Sequence, residues 1–275
     1  MLKSTARKPM GKGGKQYHIN CQPGDLASYL LMPGDPDRVE KITKDWKNKK
    51  QLGIKREYRS LTGTFENVKM SCLSTGLGAP SLAIALEEAA RLKVNTFIRV
   101  GSTGTIKKEI NLGDLIINVA GVRLEGTSQQ YVRSEYPAFA NYEVVLALIE
   151  ACEKMKYKYH LGITASTDAF YVGEGRKGFQ GYFQSHSHNL LPDLQRAGVI
   201  NMEMESSVLF TLGNLYGLRT GAICAVFDNL ITNKWAVKGE EQAGRAASEA
   251  IAILNQWDKA KKKNKKKYFY PSLIK

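Results

Sequence analysis

Phe97-Ile98-Arg99-Val100-Gly101-Ser102-Thr103-Gly104-Thr105 is the stretch from which the fold of this chain is read. Four strand-like, mostly apolar residues run into two glycines and two hydroxyls, which predicts a strand ending in a tight turn. Backbone N–H and side-chain O–H groups would converge there at the strand's carboxyl end, a setting that suits an anion. Arg99 is the odd residue. A guanidinium in an apolar strand costs several kcal/mol unless a carboxylate or a bound anion pairs with it. A structural salt bridge under an ordinary turn would satisfy the same residues.

Just upstream, a strand over residues 70–73 leads into the glycine-rich loop Ser74-Thr75-Gly76-Leu77-Gly78-Ala79-Pro80-Ser81 and a helix over residues 82–92. That helix is expected to turn Ile84, Leu86, Ala89 and Ala90 inward, and Glu87, Glu88 and Arg91 outward or to a contact. The βαβ unit closes on the Phe97 strand, which predicts parallel pairing, a right-handed crossover and an α/β class. Earlier still, the strand Tyr29-Leu30-Leu31-Met32 meets Pro33-Gly34-Asp35-Pro36-Asp37-Arg38 and then a helix with Arg38 in its first turn. Gly34 there would let a backbone N–H approach an anion that Arg38 pairs with, unless Arg38 is simply exposed. Residues 56–65 alternate as hairpin strands do. Further strands are expected over 114–122, 159–166 and 221–227, and helices over 143–155, after Glu205 and over 240–257. The glycine-rich loop 173–189 is too long to be merely connective and reads as a lid or substrate loop. His186 and His188 within it, two apart on a loop, make a poor metal signature and are expected in solvent.

The chain has 275 residues, 43% of them hydrophobic, enough for one large domain. No apolar run approaches the roughly 18 to 20 residues needed to span a bilayer, so a soluble, cytoplasmic protein is expected. Cys21, Cys72, Cys152 and Cys224 lack CxxC spacing and read as free buried thiols of a reducing compartment. The net charge of +14 suggests nucleic acid until it is located. Five Lys and Arg residues within 1–16 (Lys3, Arg7, Lys8, Lys12, Lys15) and eight lysines within 259–275 supply thirteen of those charges, with no acid in either window. Three segments follow: a basic extension over 1–16, one domain over 17–257, and a lysine-rich tail over 258–275. The tail reads as a solvated, mobile end rather than a nucleic-acid contact, because it lacks interleaved aromatics before Tyr268.

Asn201-Met202-Glu203-Met204-Glu205-Ser206 places two carboxylates two apart, read here as a helix start. Vicinal sugar hydroxyls are natural partners for such acids; helix-start acids favoured by the dipole are the plainer alternative. Arginines with glycine–hydroxyl segments, acids for a diol, and the ring-facing set around Phe170 together match phosphate, ribose and base. On these residues the sequence resembles the nucleoside phosphorylase family, which includes uridine phosphorylases and hexameric purine nucleoside phosphorylases. The matching stretches are Pro33-Gly34-Asp35-Pro36-Asp37-Arg38-Val39, Arg56-Glu57-Tyr58, Ser74-Thr75-Gly76-Leu77-Gly78, residues 99–104, residues 170–176 and Glu203-Met204-Glu205-Ser206, in family order from about residue 17 to about 254.

The resemblance implies a three-layer α/β/α sandwich around a mixed, partly barrel-like sheet. It also implies a homo-oligomer, a hexamer built as a trimer of dimers with shared active sites, that carries out reversible phosphorolysis. By matching position, Gly34, Arg38, Arg99 and Ser102 would bind phosphate, with Arg56 from a neighbouring subunit. Glu203, Met204 and Glu205 would hold ribose, with His18 from that neighbour, and Thr103, Gly104, Phe170, Glu174 and Arg176 would face the base. Arg99, Arg176, Glu205 and Asp228 are the expected catalytic set. No cofactor or metal is implied beyond phosphate as co-substrate, apart from a weak monovalent-cation match at Glu57 and Ser81. Neither a membrane nor nucleic acid is an expected partner.

Two positions depart from the pyrimidine branch. Glu174 stands where uridine-cleaving relatives usually carry Gln, so an acceptor-only carboxylate would oppose charge on the leaving base unless Arg176 or a proton offsets it. Asp228 stands where purine enzymes carry the acid that protonates the ring, and Leu230 replaces an arginine that reads uracil. Uridine remains the expected substrate, because residues 170–176 and their long continuation resemble the pyrimidine branch; purine nucleosides, with Asp228 as general acid, are the alternative.

Overall fold

In a computed structural model, residues 4–274 are described; Lys3 and Lys275 of the two basic ends lie outside them. The first strand, β1 (Tyr29–Pro33), gives way to α1 (Arg38–Ile42), then to the antiparallel run β2 (Lys47–Lys55), β3 (Tyr58–Phe65) and β4 (Val68–Leu73). Gly78, at φ 86°, turns the chain into α2 (Ala79–Arg91), whose Pro80 sits in the first turn, where a missing N–H costs nothing. Next come β5 (Thr96–Thr105), β6 (Leu115–Arg123), α3 (Thr127–Tyr131), β7 (Ala138–Phe139) and α4 (Tyr142–Met155). Asn141 caps α4 by accepting from the backbone N–H groups of Glu143 and Val144. The chain continues through β8 (Tyr159–Ser166), α5 (Leu190–Arg196), β9 (Val199–Glu203), α6 (Ser206–Tyr216), β10 (Arg219–Asn229), β11 (Lys234–Trp235) and α7 (Glu240–Lys263).

Five strands close on themselves. β10 pairs with β6, β6 with β8, β8 with β9, β9 with β5 and β5 again with β10. Four more strands extend the sheet from β5 through β1, β4 and β3 to β2, while β11 pairs with β10 and β7 with β6. β4 and β5 run parallel, as the βαβ reading predicts, but β1 lies between them and pairs with both. Helices cover both faces. α1, α4 and α7 pack on the side that buries Leu31, Ile98, Val100 and Ile223; α2 and α6 pack on the side of Leu30, Met32, Phe97 and Ala222. This is the three-layer α/β/α arrangement with a partly barrel-like sheet.

The turn expected after Val100 does not exist. β5 stays extended to Thr105 because β10 pairs with it along its whole length. The other edge of β5 behaves differently. Pairing with β1 ends at Val100 and pairing with β9 begins at Gly104, so residues 101–103 lie where the sheet forks. That fork, rather than a turn, opens the strand to solutes.

Three more expectations are corrected. Asn201 to Glu203 form the end of β9 instead of a helix start, and Glu205 is the residue that precedes α6. On α2, Ile84 and Ala90 are only partly buried rather than inward, while Glu88 makes the contact expected of it, buried against the N-terminal segment. The lysine-rich tail is not a loose end: α7 runs on to Lys263, and Phe269 stacks on Trp257 at 3.8 Å between ring centroids. The aromatic pair and the ion pair of Lys261 with Glu143 hold what lysine content alone would release. Among the described residues no helix is long and apolar enough to cross a membrane, and the four cysteines are free and buried.

Candidate active site

Strand alternation sends successive side chains of β5 to opposite faces. The odd residue Arg99 points to the α6 face and the even residue Ser102 to the α7 face, and each finds a different set of partners. Arg99 Nε donates to Glu203 Oε2 at 3.0 Å, and its Nη2 lies 2.5 Å from Glu205 Oε2. All three side chains are almost wholly buried. Gly101 makes this possible, since a Cβ there would stand 2.8 Å from Arg99 Nη2. On the other face, Arg38 Nη2 donates to Ser102 Oγ at 3.4 Å. Its Nε is held by Glu240 at 2.7 Å and its guanidinium lies over the Phe227 ring.

Glu203 and Glu205 differ in what they have left to give. Glu203 Oε2 accepts from Arg99 and from the backbone N–H groups of Glu205 and Ser206, while Oε1 accepts from Ser166 Oγ at 2.5 Å. It closes the N-terminus of α6 and has few lone pairs to spare. Glu205 accepts from Gly78 N at 2.7 Å and from Met204 N at 3.2 Å. Burial pushes the Glu205 carboxyl above the ordinary carboxylate range, with Arg99 pulling the other way and Glu203 pushing with burial. Burial alone would lower the Arg99 pKa, but the two glutamates outweigh it and hold the guanidinium charged.

A second acid–arginine cluster lies across the cleft. Arg176 Nη1 donates to Glu174 and its Nη2 to Asp228 Oδ1 at 2.9 Å, and its guanidinium lies 4.1 Å from the Phe170 ring centroid. Asp228 reaches this position because its β5 neighbour is Gly104, where a Cβ would stand 2.5 Å from Oδ1. Burial pushes the Glu174 carboxyl up to about 7 against the opposing pull of Arg176. The Asp228 carboxyl is also raised, again by burial against Arg176. Between the clusters lies a cavity of about 260 Å³, lined by Arg38, Arg99, Ser102, Thr103, Gly104, Phe170, Glu174, Met204, Glu205 and Asp228 among others. Thr103 does not offer its hydroxyl freely: Oγ1 donates to Met202 O at 2.6 Å and accepts from Asn201 Nδ2 at 2.8 Å.

Several expected residues lie elsewhere on the chain. Gly34 braces the loop before α2, its carbonyl accepting from Gly76 N at 2.8 Å. Arg56 is exposed in the β2–β3 turn with a left-handed φ of 54°. His18 is tied to α2, with Nδ1 2.8 Å from Glu88 Oε1. Ser81 Oγ donates back to Leu77 O and Gly78 O, and Tyr58, next to Glu57, donates to Ser81 O at 3.0 Å. Leu230 packs with Ile106, Val199 and Met202 and does not line the cavity. His186 and His188 are exposed. Sequence reasoning missed Glu240, Trp235, Val237 and Leu77. Acids open many helices, which hides Glu240, and the other three are isolated apolar residues: Trp235 and Val237 reach the cavity mouth once β11 folds back on β10, and Leu77 reaches it from the loop before α2.

The family model of the phosphorylase superfamily matches residues 28–256, an interval containing every residue that lines the cavity. The chain belongs to that superfamily. Among its relatives in the superfamily is a protein of Thermococcus kodakarensis named uridine phosphorylase, 54% identical over 98% of this chain and 97% of its own length. The uridine phosphorylase of Escherichia coli is 36% identical over 86% of this chain and 94% of its own. A guanosine phosphorylase of Halorubrum lacusprofundi is 34% identical over 86% and 93%.

Proposed function

We propose that this superfamily member is a uridine phosphorylase, a pentosyltransferase that converts uridine and phosphate reversibly to uracil and ribose 1-phosphate. The observation that carries the reading is the meeting of Arg38 and Arg99 from opposite faces of β5 at one forked edge, beside Glu205 and in one cavity with Phe170, Glu174 and Asp228. In this reading phosphate lies along the fork on Arg38, Arg99 and Ser102, with Gly34 behind. The sugar hydroxyls lie on Glu205 and Met204, with Glu203 as the brace behind them. The base stacks by Phe170 over Thr103 and Gly104, facing Glu174 and Arg176.

Cleavage of the glycosidic bond leaves positive charge on the sugar and negative charge on the base. A phosphate held below the ring and a base pocket that receives charge stabilise the two halves separately, without a covalent nucleophile. Within one chain both arginines already have carboxylate partners, so a phosphate dianion calls for more positive charge than the chain supplies. Arg56 fits that need if it is lent by a neighbouring subunit, as would His18 for the sugar. This supports a shared-site homo-oligomer, proposed as a hexamer, working on nucleosides in the cytoplasm. A monovalent cation between subunits at Glu57 and Ser81 belongs to the same proposal.

Asp228 favours a second reading. It stands in the cavity with a raised pKa, able to hand a proton to a purine ring, and a relative named for guanosine is 34% identical. Initial rates on uridine, inosine and guanosine, each with and without phosphate, test both. Uridine is expected to be cleaved fastest and only with phosphate. A tenfold preference for a purine nucleoside would establish the second reading, and equal base release without phosphate would overturn both.

A further inference from the structure

Glu174 is the part of the base wall that the uridine reading leaves unexplained. The edge of uracil away from the sugar presents an N–H between two carbonyl oxygens, so a matching side chain must offer one acceptor beside one donor. An ionised carboxylate offers acceptors only. Three of the five Arg176 N–H groups are already engaged: Nη1 serves Glu174 and the Phe170 carbonyl at 2.8 Å, and Nη2 serves Asp228. The charged groups facing Glu174 are Arg176 on its own loop, Asp228 from β10 and Glu203 from the end of β9, and Glu203 is committed to Arg99. One guanidinium therefore stands between two carboxyl groups, Glu174 and Asp228, where negative charge must grow on a departing base.

We propose that Glu174 works as a neutral carboxylic acid, its C=O accepting from the ring N–H of the pyrimidine while its O–H donates to the adjacent ring carbonyl. In that form it has the donor–acceptor pattern of a glutamine amide. The proton stays on Glu174 throughout: as the glycosidic C–N bond breaks, a phosphate oxygen forms the new bond to the anomeric carbon, and the electron pair left on the ring is stabilised by the O–H and by Arg176 until the released base takes a proton from solvent. Asp228 remains the ionised partner of Arg176. Side-chain burial is consistent with this state, since Glu174 is 2% exposed and its carboxyl is raised to about 7. The inference rests on the uridine reading and adds a pH dependence to it. The competent form is the protonated one, so uridine turnover is expected to decline as pH rises through about 7.

The test compares the full chain with Glu174→Gln in the same phosphate buffers, so that titration of phosphate itself is common to both. The ratio of kcat/KM for uridine, wild type over variant, is expected near one below about pH 6 and to fall roughly tenfold per pH unit above about pH 7. A ratio that does not change with pH would overturn the proposal. Infrared spectra taken as wild type minus variant give a second readout: a protonated-carboxyl band at about pH 6 that is lost at about pH 9. Its absence at the lower pH would also overturn the proposal. If neither protein cleaves uridine at any pH, the uridine reading fails, while the infrared band still decides whether Glu174 holds a proton.

Discussion

The β5–β10 strand pair carries a buried ion cluster at each end, and the two are built on opposite principles. At the carboxyl end, Arg99 and Arg176 face Glu203, Glu205, Glu174 and Asp228, and burial raises the pKa values of Glu205, Glu174 and Asp228. At the amino end, Arg219 and Lys261 face Glu143 and Asp258. There burial also raises the acids, but the hydrogen bonds from Lys261 and Arg219 outweigh it and leave both pKa values lowered. The matched cluster joins α4, β10 and α7, and Phe269 N donates to Glu143 Oε1 at 3.1 Å to close the tail over it. Charges that balance and bind each other hold the fold. Acids in excess of their arginines, beside an open cavity, are arranged for something the chain does not contain.

Breaking the two ends should therefore give different losses. The largest is expected from Arg99→Lys, which keeps one charge but cannot span Glu203 and Glu205 while presenting an edge to phosphate. Turnover per folded chain should fall about 10²–10³-fold; retained activity would remove Arg99 from the anion site. At the other end, Glu143→Gln should cost about 3 kcal/mol of stability and leave kcat per folded chain as it was, measured by denaturant titration beside initial rates. Loss of activity without loss of stability would erase the contrast between the ends.

The pH dependence of stability sharpens the same contrast. Glu143 and Asp258, with lowered folded pKa values, contribute stability above the ordinary carboxylate range and lose it as pH falls through their folded values. Glu174 has the opposite sign. Its folded form takes up a proton that the unfolded chain releases, so stability falls as pH rises from the ordinary glutamate value of 4.5 to about 7. Glu174→Gln should remove that decline, a gain on the order of 3 kcal/mol at about pH 8, and change little at about pH 4. Parallel stability profiles for the two proteins would mean that Glu174 folds already ionised.

Elements decided by local periodicity were legible in the sequence: β8 occupies the residues over which a strand is expected, and α4 differs by one residue at its start. The residues drawn to the cavity by motif, among them Arg38, Arg99, Ser102 and Glu205, could be read because charge, glycine and hydroxyl do not mix freely in buried segments, whereas Asp228 is reached only through the family resemblance. What failed was decided by strand neighbours distant in sequence. Gly101 and Gly104 look like a turn, but their lack of side chains serves Arg99 and Asp228 beside a strand that β10 holds straight. Met202 and Glu203 look helical beside α6, yet β8 and β5 draw them into the sheet. The lysines of the tail conceal the single Phe269 that anchors it.

Glu240 offers the smallest and most selective break. It opens α7, far in sequence from Arg38, and takes the Arg38 Nε with one oxygen and Lys41 Nζ, at 2.9 Å, with the other. Holding Nε fixes the guanidinium plane and leaves its Nη edge toward Ser102, while Lys41 offsets the carboxylate, so the trio keeps a net positive charge beside the fork. Glu240→Ala frees Arg38 to rotate without removing its charge. The Michaelis constant for phosphate should rise about tenfold, equivalent to about 1.4 kcal/mol, with that for uridine and the thermal midpoint nearly unchanged. Glu240→Gln, whose amide oxygen still accepts from Nε, should recover most of the loss. An equal rise for both substrates, or no recovery with Gln, would mean that Glu240 merely seats α7, and the α7 face of β5 would then have no part in holding the anion.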